Sequence, residues 1–347
     1  MQESETINDL STFLEQLAAN DEFSGAVLVA RNTTPLFKHA YSLASRVFNI
    51  PNRLDTKFNL ASMNKMFTGV AIAQLAEQGK LTFSDTIEKY LPEYPKAVAE
   101  KVTIHQLLTH TSGMGSYWNK RFDATWATLR TVQDFLALFI DDPLAFEPAE
   151  QWQYSNAGFI VLGAIIEQVS GQTYFDYVRE HIYRPANMVN TDAYEMDHPP
   201  ANIAIGYTHT GLEGETKPGF RKNNLFLHIV KGGPAGGGYS TVEDLLNFSI
   251  ALQEHRLLTK EYTDILLTGK VILLEPQKTY TRYAYGFFEE TIKGHRIVGH
   301  SGGAPGINSR FQMYLDLGYT VVVLSNYDPP AATQVTDWLA ERLTQIK

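Results

Sequence analysis

The distribution of apolar and polar positions divides the chain into strand-rich ends and a helix-rich middle. Residues 7–18 place apolar side chains at helical spacing, and the continuous apolar run at 23–30 has the length of a buried strand. Residues 32–35 predict a turn, and 36–41 predict the returning strand. The first 41 residues therefore predict one helix followed by two strands.

Helical periodicity dominates the middle of the chain. Residues 62–79 have apolar positions at helical spacing and end on a glycine, a common helix terminator. Further predicted helices cover 104–108, 132–140, 157–169, 174–181 and 241–252. The last of these follows a glycine-rich loop at 232–238, and Ser240 and Glu243 have the spacing of a capping box.

The C-terminal part returns to strand character before one last helix. The predicted strands are 283–290, 295–299, 307–314 and 319–325, and an amphipathic helix covers about 331–344. Strands at both ends with helices between them predict an α/β (α+β) fold, in which both termini build one sheet and a mainly helical lobe is inserted. We assign 1–60 and 275–347 to the sheet lobe and 61–274 to the helical lobe.

Composition and charge narrow the classes of function. Hydrophobic residues make up 44% of the 347 residues and charged residues 19%, which permits a large core and disfavours disorder. The net charge is −9 without a basic stripe, which argues against nucleic acid or an anionic membrane as the main partner. No run approaches the roughly 20 apolar residues that span a bilayer. These features favour a small-molecule or peptide substrate.

The sequence offers no recognisable metal or cofactor motif. It contains no cysteine, so disulfides, thiolate nucleophiles and cysteine-based zinc sites are excluded. No His-Glu-x-x-His, Walker A or dinucleotide-binding pattern occurs, and isolated histidines such as His105 and His110 are more often structural than metal ligands. We therefore expect catalysis without a metal or a cofactor.

Ser62-Met-Asn-Lys65 is the only Ser-x-x-Lys in the chain. It opens a predicted helix, so both side chains lie on one face, one turn apart. A serine is a poor nucleophile until a base takes its proton, and a lysine can do so only when desolvation or a nearby cation lowers its pKa. The helix N-terminus also places the Ser62 N–H where it can stabilise an oxyanion. The alternative is an N-cap serine beside a solvated lysine.

Tyr154-Ser-Asn156 precedes a long apolar helix and is a candidate second motif. A tyrosine can relay protons, and an asparagine can hold a substrate amide. The alternative is a packing aromatic next to a helix cap. The same pattern occurs once more, as Tyr117-Trp-Asn119, which lies closer to Ser62 in the sequence.

Gly299-His300-Ser301-Gly302-Gly303 follows a predicted strand. Its glycines allow the backbone to approach a ligand, and an N–H at the strand end can complete an oxyanion hole. The segment also fits Gly-x-Ser-x-Gly, the nucleophile elbow of α/β-hydrolases, which requires a histidine after the serine. His300 is the last histidine in the chain, so Ser301 is rejected as the nucleophile.

In this order, Ser62-x-x-Lys65, Tyr154-Ser-Asn156 and His300-Ser-Gly-Gly303 resemble the serine β-lactamase and penicillin-binding protein superfamily. The most similar branch is class C-like, with family VIII esterases, D-aminopeptidases and DD-carboxypeptidases. Leu107-Leu-Thr-His-Thr-Ser-Gly113 and the segment 234–245 are similar to the same branch. The resemblance covers nearly the whole chain and implies an antiparallel sheet flanked by helices, a helical lobe, and an active site between them.

The resemblance also implies roles by position. Ser62 matches the acylated serine and Lys65 its base, while Tyr154 matches the proton relay that also activates the hydrolytic water. We expect a positive charge on Lys65 to lower the pKa of Tyr154. Because Lys65 cannot be fully charged when Ser62 attacks, the two groups should titrate as one coupled unit. Asn156 matches the residue that binds the acyl-side amide or carbonyl of the substrate. Tyr117 is assigned to a loop near the site.

The third motif departs from the pattern of the family. His300, followed by Ser301 and Gly302, stands where class C β-lactamases have Lys-Thr-Gly, and Gly303 matches the second oxyanion-hole donor. We expect these four residues, together with Asn156, to bind the substrate. A histidine can be neutral near pH 7 and then holds a substrate carboxylate less firmly than a lysine does. This substitution disfavours efficient β-lactam hydrolysis and leaves ester and peptide chemistry open.

The leading hypothesis is a serine hydrolase that forms an acyl-enzyme on Ser62 and hydrolyses small esters or amides, as an esterase, D-amino-acid peptidase or weak β-lactamase. The alternative is a penicillin-recognising or peptidoglycan-sensing protein that acylates without efficient turnover. A scaffold with a dead site is disfavoured, because Ser62, Lys65 and Tyr154 are all present. The family predicts an exported mature chain, with a cytoplasmic location as the alternative; the sequence leaves the oligomeric state open.

Overall fold

The computed structural model describes residues 2–210, 219–227, 229–273 and 281–346. The strands are β1 (Gly25–Arg31), β2 (Thr34–Tyr41), β3 (Leu43–Ser45), β4 (Ile50–Pro51), β5 (Phe58–Asn59), β6 (Tyr207–Thr208), β7 (Lys222–Asn223), β8 (Tyr239–Ser240), β9 (Val271–Leu273), β10 (Thr281–Tyr283), β11 (Phe288–Ile292), β12 (His295–Ala304), β13 (Ile307–Tyr314) and β14 (Tyr319–Ser325). The helices are α1 (Glu3–Ala19), α2 (Asn64–Glu77), α3 (Lys96–Ala99), α4 (Ile104–Leu108), α5 (Lys120–Thr125), α6 (Val132–Leu136), α7 (Asn156–Ser170), α8 (Tyr174–Val178), α9 (Val242–Gln253), α10 (Lys260–Leu267) and α11 (Ala331–Leu343).

One antiparallel sheet joins the two ends of the chain. Its strand order is β2-β1-β14-β13-β12-β11-β10-β9, and β1 pairs with β14 from Gly25 opposite Ser325 to Arg31 opposite Tyr319. The N-terminal hairpin is therefore an extension of the C-terminal meander. This arrangement confirms the predicted fold class, a sheet built from both termini and flanked by helices, with a helical insertion.

Both faces of the sheet are covered, which explains why its central strands are apolar throughout. Along β1, Ala26 and Leu28 pack into the large core that α2, α7 and α9 share with the sheet. Val27 and Val29 point the other way, into a second core under α1 and α11. Side chains alternate between the two faces of a strand, so a continuous apolar run serves two layers at once.

Helix α2 passes through the large core, and every residue from Asn64 to Ala76 is buried. It packs so closely on the turn between β10 and β11 that a Cβ on Gly69 would lie 2.2 Å from the carbonyl oxygen of Tyr285. The helix that carries Lys65 is therefore fixed backbone to backbone against the sheet.

Two local predictions are wrong. The predicted strand at 283–290 is two strands, because the chain reverses at Gly286, where φ is +80° and the Ala284 N–H donates to the Phe287 carbonyl oxygen at 2.8 Å. The residues around the turn, 283–287, are buried and mostly apolar, which makes the hairpin look like one continuous run. The capping pair Ser240 and Glu243 is also displaced by one residue: the N-cap of α9 is Thr241, which accepts from the Asp244 N–H.

The division into lobes at residues 60 and 275 stays a prediction. Strand β9 belongs to the edge of the large sheet although it precedes residue 275. Among the described residues, none of the helices is both long and apolar enough to cross a membrane.

We expect Gly69→Ala to lower the free energy of unfolding by about 1–3 kcal/mol, the usual cost of overpacking. Alanine favours a helix over glycine, so any loss must come from the contact with Tyr285. Urea denaturation measures the change. Gly115→Ala is the control, because a Cβ there meets nothing within 4 Å. Equal effects of the two substitutions would contradict this packing argument.

Candidate active site

Ser62 lies in a short 3-10 turn, Ala61–Met63, immediately before α2. Ala61 has a φ of +44°, an unfavourable conformation for a residue with a Cβ. The turn is held from the glycine-rich loop: the Gly237 N–H donates to the Ala61 carbonyl oxygen at 3.1 Å, and the Leu60 N–H donates to that of Gly238 at 2.7 Å. Such strain persists only where the surrounding structure enforces it, as at many active sites.

Strand β12 supports the same turn from the other side. A Cβ on Gly302 would lie 2.1 Å from the Leu60 carbonyl oxygen, so only glycine allows this approach. The Ser309 hydroxyl donates to that carbonyl oxygen at 2.8 Å. The next residue, Gly303, lines the same cavity as Ser62. Among the described strands, β13 alone pairs with β12 beyond Gly299, which leaves the other edge of β12 open beside the serine.

Lys65 is fully buried, and its Nζ lies 3.4 Å from the Ser62 Oγ. Burial lowers its pKa well below the ordinary value, as a lysine that acts as a base requires. Its Nζ also donates to the Asn156 Oδ1 at 2.8 Å and to the Ala235 carbonyl oxygen at 2.6 Å. A neutral amine has two N–H groups and one lone pair. With both N–H groups accepted, the lone pair is left for the Ser62 proton.

Asn156 and Tyr154 stand at the start of α7. The N-cap of this helix is Ser155, whose hydroxyl accepts from the Gly158 N–H at 2.9 Å and donates to the Gly115 carbonyl oxygen at 2.8 Å. Asn156 is therefore the first helical residue and not the cap. Its Oδ1 is taken by Lys65, and its Nδ2 lies 3.4 Å from the Ser116 Oγ beside the cavity.

The Tyr154 hydroxyl is inaccessible to solvent and points at Ser62, without a well-formed hydrogen bond to any described residue. Burial raises the pKa of Tyr154 and outweighs the opposite effect of the Ser62 hydroxyl. The expectation that Lys65 lowers this pKa is wrong. The Lys65 Nζ lies over the tyrosine ring, 4.6 Å from its centroid, and burial lowers the pKa of Lys65 itself, which disfavours the positive charge.

The cavity over Ser62 has a volume of about 710 Å³ and a mainly apolar wall. Its aromatic members, apart from Tyr154, are Tyr117, Trp118, Phe122, Trp126 and Phe226. Asp123 is the one charged side chain among the lining residues that the structure describes. The assignment of Tyr117 to a loop near the site is confirmed, because it precedes α5 and lines this cavity.

His300 lies beside this cavity without lining it. It is 4% exposed; its Nδ1 donates to the Ser301 carbonyl oxygen at 2.6 Å, and its Nε2 lies 3.0 Å from the Tyr283 hydroxyl. Burial, together with Lys65, lowers the pKa of His300 to about 3, so the ring is neutral. Ser301 lines a neighbouring cavity next to Arg310, away from Ser62. Of the third motif, Gly303 alone reaches the serine cavity.

Three contributions to the site lie outside the predicted residues. The Ala235 carbonyl oxygen holds Lys65, Asn64 ties the glycine-rich loop to α2 through Gly233 and Gly238, and His110 contacts the tyrosine segment. A backbone carbonyl has no signature in the sequence. The Thr-His-Thr-Ser-Gly segment was a visible signal for His110. In the described parts of the chain, no cluster of three or more His, Asp or Glu residues has the arrangement of a metal site.

Comparison with known proteins finds the same family at several levels. A family model described as Beta-lactamase matches residues 10–346. The chain is 32% identical to Penicillin-binding protein 4* of Bacillus subtilis (strain 168), over 91% of this chain and 71% of that protein. It is 26% identical to Protein flp of Staphylococcus aureus (strain MW2), over 97% of this chain and 66% of that protein. The chain thus spans about two thirds of the length of these curated relatives.

Solved structures give the same result. A penicillin binding protein from Bacillus halodurans superposes with a TM-score of 0.83 at 34% identity, covering 94% of this chain and 98% of the other. A D-stereospecific amidohydrolase from Streptomyces sp. gives a TM-score of 0.75 at 25% identity, covering 92% and 94%. Because the family model spans nearly the whole chain and these relatives share its sequence and fold, the chain belongs to the beta-lactamase family of serine hydrolases, in its class C-like branch.

Proposed function

We propose that this protein hydrolyses small esters or amides with an apolar acyl group, through an acyl-enzyme on Ser62. The observation that carries the proposal is the buried Lys65 amine, 3.4 Å from the Ser62 Oγ, with both of its N–H groups accepted elsewhere. A lysine in this state is a general base at neutral pH.

In the proposed acylation, the Lys65 amine takes the proton of Ser62 while the Oγ attacks the substrate carbonyl carbon. The N–H groups of Ser62 and Gly303 stabilise the resulting oxyanion, and the Asn156 Nδ2 donates to the acyl side of the substrate. The C–O or C–N bond then breaks. The Tyr154 hydroxyl donates its proton to the leaving group and is reprotonated from the Lys65 ammonium. The raised pKa of Tyr154 suits this role, because it keeps the phenol protonated until the leaving group needs the proton.

Deacylation repeats these proton transfers, with water in place of Ser62 as the nucleophile. The water attacks the ester carbonyl of the acyl-enzyme and passes its proton through Tyr154 to Lys65. The Ser62 Oγ leaves and takes that proton back. No other proton acceptor is required in this cycle.

The walls of the cavity indicate the substrate class. Of the residues that the structure describes, five aromatic side chains besides Tyr154 line it, which favours an apolar acyl group. The neutral, enclosed His300 supplies no positive charge for a substrate carboxylate, and Asp123 would repel one. We therefore infer a substrate that is uncharged where β-lactams carry their carboxylate.

One observation favours the alternative of a protein that acylates without turnover. The raised pKa keeps the Tyr154 hydroxyl protonated, so it can accept the proton of the hydrolytic water only while it passes its own proton to Lys65, which would slow deacylation. Pre-steady-state kinetics with p-nitrophenyl butyrate separates the two functions. Continued release of p-nitrophenol identifies a hydrolase, and a single stoichiometric burst identifies a sensor.

We expect Ser62→Ala to abolish turnover of p-nitrophenyl butyrate and covalent labelling by a fluorophosphonate, because it removes the attacking oxygen. Mass spectrometry of the labelled protein locates the modified residue. Ser301→Ala is the matched control, since Ser301 lines a different cavity, and both activities should persist in it. Label on Ser301, or undiminished labelling of Ser62→Ala, would refute the assignment of the nucleophile.

Tyr154→Phe keeps the ring and removes the hydroxyl. With methyl butyrate, whose alkoxide leaving group needs a proton, we expect kcat to fall about 10²-fold, the scale of a lost acid/base group. Proton release in a pH-stat measures this rate. Tyr117→Phe, in the wall of the same cavity, should change kcat little. If Tyr117→Phe is the damaging change and Tyr154→Phe is mild, the second motif is misplaced.

His300→Lys introduces a cation where the native ring is neutral. We expect the ratio of kcat/KM for nitrocefin to kcat/KM for p-nitrophenyl butyrate to rise about fivefold, the effect of one charge pair worth about 1 kcal/mol. His295→Lys, at the far end of β12, is the control and should leave the ratio unchanged. Nitrocefin as the faster substrate of the unmodified protein would contradict the inferred preference.

A further inference from the structure

His110 accepts hydrogen bonds from the backbone on both sides of Tyr154. Its backbone carbonyl oxygen accepts from the Gln153 N–H at 2.9 Å, and its Nδ1 accepts from the Ser155 N–H at 3.0 Å. The imidazole packs on the ring between these two contacts, with 4.3 Å between the centroids of His110 and Tyr154. One residue therefore fixes the backbone before and after Tyr154 as well as its side chain.

The backbone of His110 is itself constrained. Its φ is +60°, a conformation that is uncommon for residues other than glycine, although histidine, asparagine and aspartate adopt it more often than other residues do. A residue in this conformation is retained where the surrounding contacts require it. Here the conformation lets one residue present both its carbonyl oxygen and its ring nitrogen to the segment 153–155.

The surroundings of His110 keep its ring neutral. The residue is fully buried, and besides Tyr154 its ring contacts Trp152, Phe159 and Tyr283. Burial and any positive charge on Lys65 or His300 lower its pKa well below the ordinary value. The Nδ1 is therefore an acceptor, and the Nε2, which carries the proton, has no partner within the described part of the chain.

We propose that His110 is a positioning residue, which acts through the Ser155 N–H and its stacked ring to hold the Tyr154 hydroxyl at Ser62. The inference rests on the proton-transfer role proposed above for Tyr154. A neutral acceptor is what this place requires. A carboxylate would accept the same hydrogen bond, but its charge would stabilise the Lys65 ammonium and weaken the base. A hydrocarbon side chain would leave the buried Ser155 N–H without an acceptor.

A double-mutant cycle separates positioning from a general structural role. His110→Leu replaces the imidazole by an apolar side chain and removes the hydrogen-bond acceptor. We expect kcat for methyl butyrate to fall about 10²-fold with KM little changed, which is the effect of a displaced catalytic group. In His110→Leu/Tyr154→Phe the hydroxyl to be positioned is already absent. The double variant should then be no slower than Tyr154→Phe, within about twofold.

A conservative variant should rescue the activity. His110→Asn places an amide oxygen near the position of the Nδ1 and tolerates a positive φ, so its kcat should stay within about tenfold of the unmodified protein. His110→Gly also tolerates this φ but lacks the acceptor, and it replaces the leucine variant if that variant does not fold. Thermal unfolding followed by circular dichroism verifies the folded state of each variant.

His105 provides the matched control. His105 shortly precedes His110 in the chain. Its Nδ1 is 2.8 Å from the Tyr285 hydroxyl, away from Ser62. His105→Asn should leave kcat unchanged both in the unmodified protein and in Tyr154→Phe.

The outcomes distinguish the two proposals. The positioning role is refuted if a variant without the acceptor slows Tyr154→Phe by the same factor as the unmodified protein, if His110→Asn is as slow as His110→Gly, or if all three His110 variants are fully active. The role of Tyr154 itself fails if Tyr154→Phe alone has normal kcat, and the role of His110 then falls with it. Full activity of Ser62→Ala would refute the proposed function independently of both.

Discussion

The burial of the Lys65 amine, which lowers its pKa, is the constraint on which the rest of the site depends. A buried ammonium without a counter-charge is costly, and a buried amine is not, provided its N–H groups are accepted. The acceptors come from Asn156 on α7 and from the Ala235 carbonyl oxygen in the glycine-rich loop. Three segments that are distant in the sequence must therefore meet around one nitrogen. No carboxylate is among these contacts, and one there would restore the charge that has to be avoided.

The sheet holds these segments rigidly in place around Lys65. Gly69 places α2 against the turn at Tyr285, and Gly302 places β12 against the turn that contains Ser62. Both contacts are between backbones, and they cannot be adjusted by a change of rotamer. The serine, the base and the open edge of β12 are thereby fixed relative to one another. Such preorganisation is what allows backbone N–H groups to stabilise an oxyanion.

The low polarity around Lys65 also acts on its neighbours. The enclosure that lowers the pKa of Lys65 also lowers those of His110 and His300 and raises that of Tyr154. The shifts favour the uncharged form of each of the four groups. In the proposed mechanism, an unprotonated Lys65 can then take the proton of Ser62. A lysine in place of His300 would add a cation to this enclosure.

The sequence by itself determined the parts that depend on local spacing. The Ser-x-x-Lys pair follows from the helical repeat, and the strands at both ends follow from apolar runs long enough to be buried on two faces. Motif order was enough to recognise the family. Tertiary structure alone decided the protonation states and the partners. The raised pKa of Tyr154 depends on the burial of its side chain, and the enclosure of His300 includes a contact with the Tyr283 hydroxyl. The position of the Tyr154 segment depends on hydrogen bonds to the backbone carbonyl oxygen and the ring Nδ1 of His110, which is about 45 positions away in the chain. Desolvation and hydrogen bonding are set by all neighbours in space at once, and a linear pattern specifies few of them.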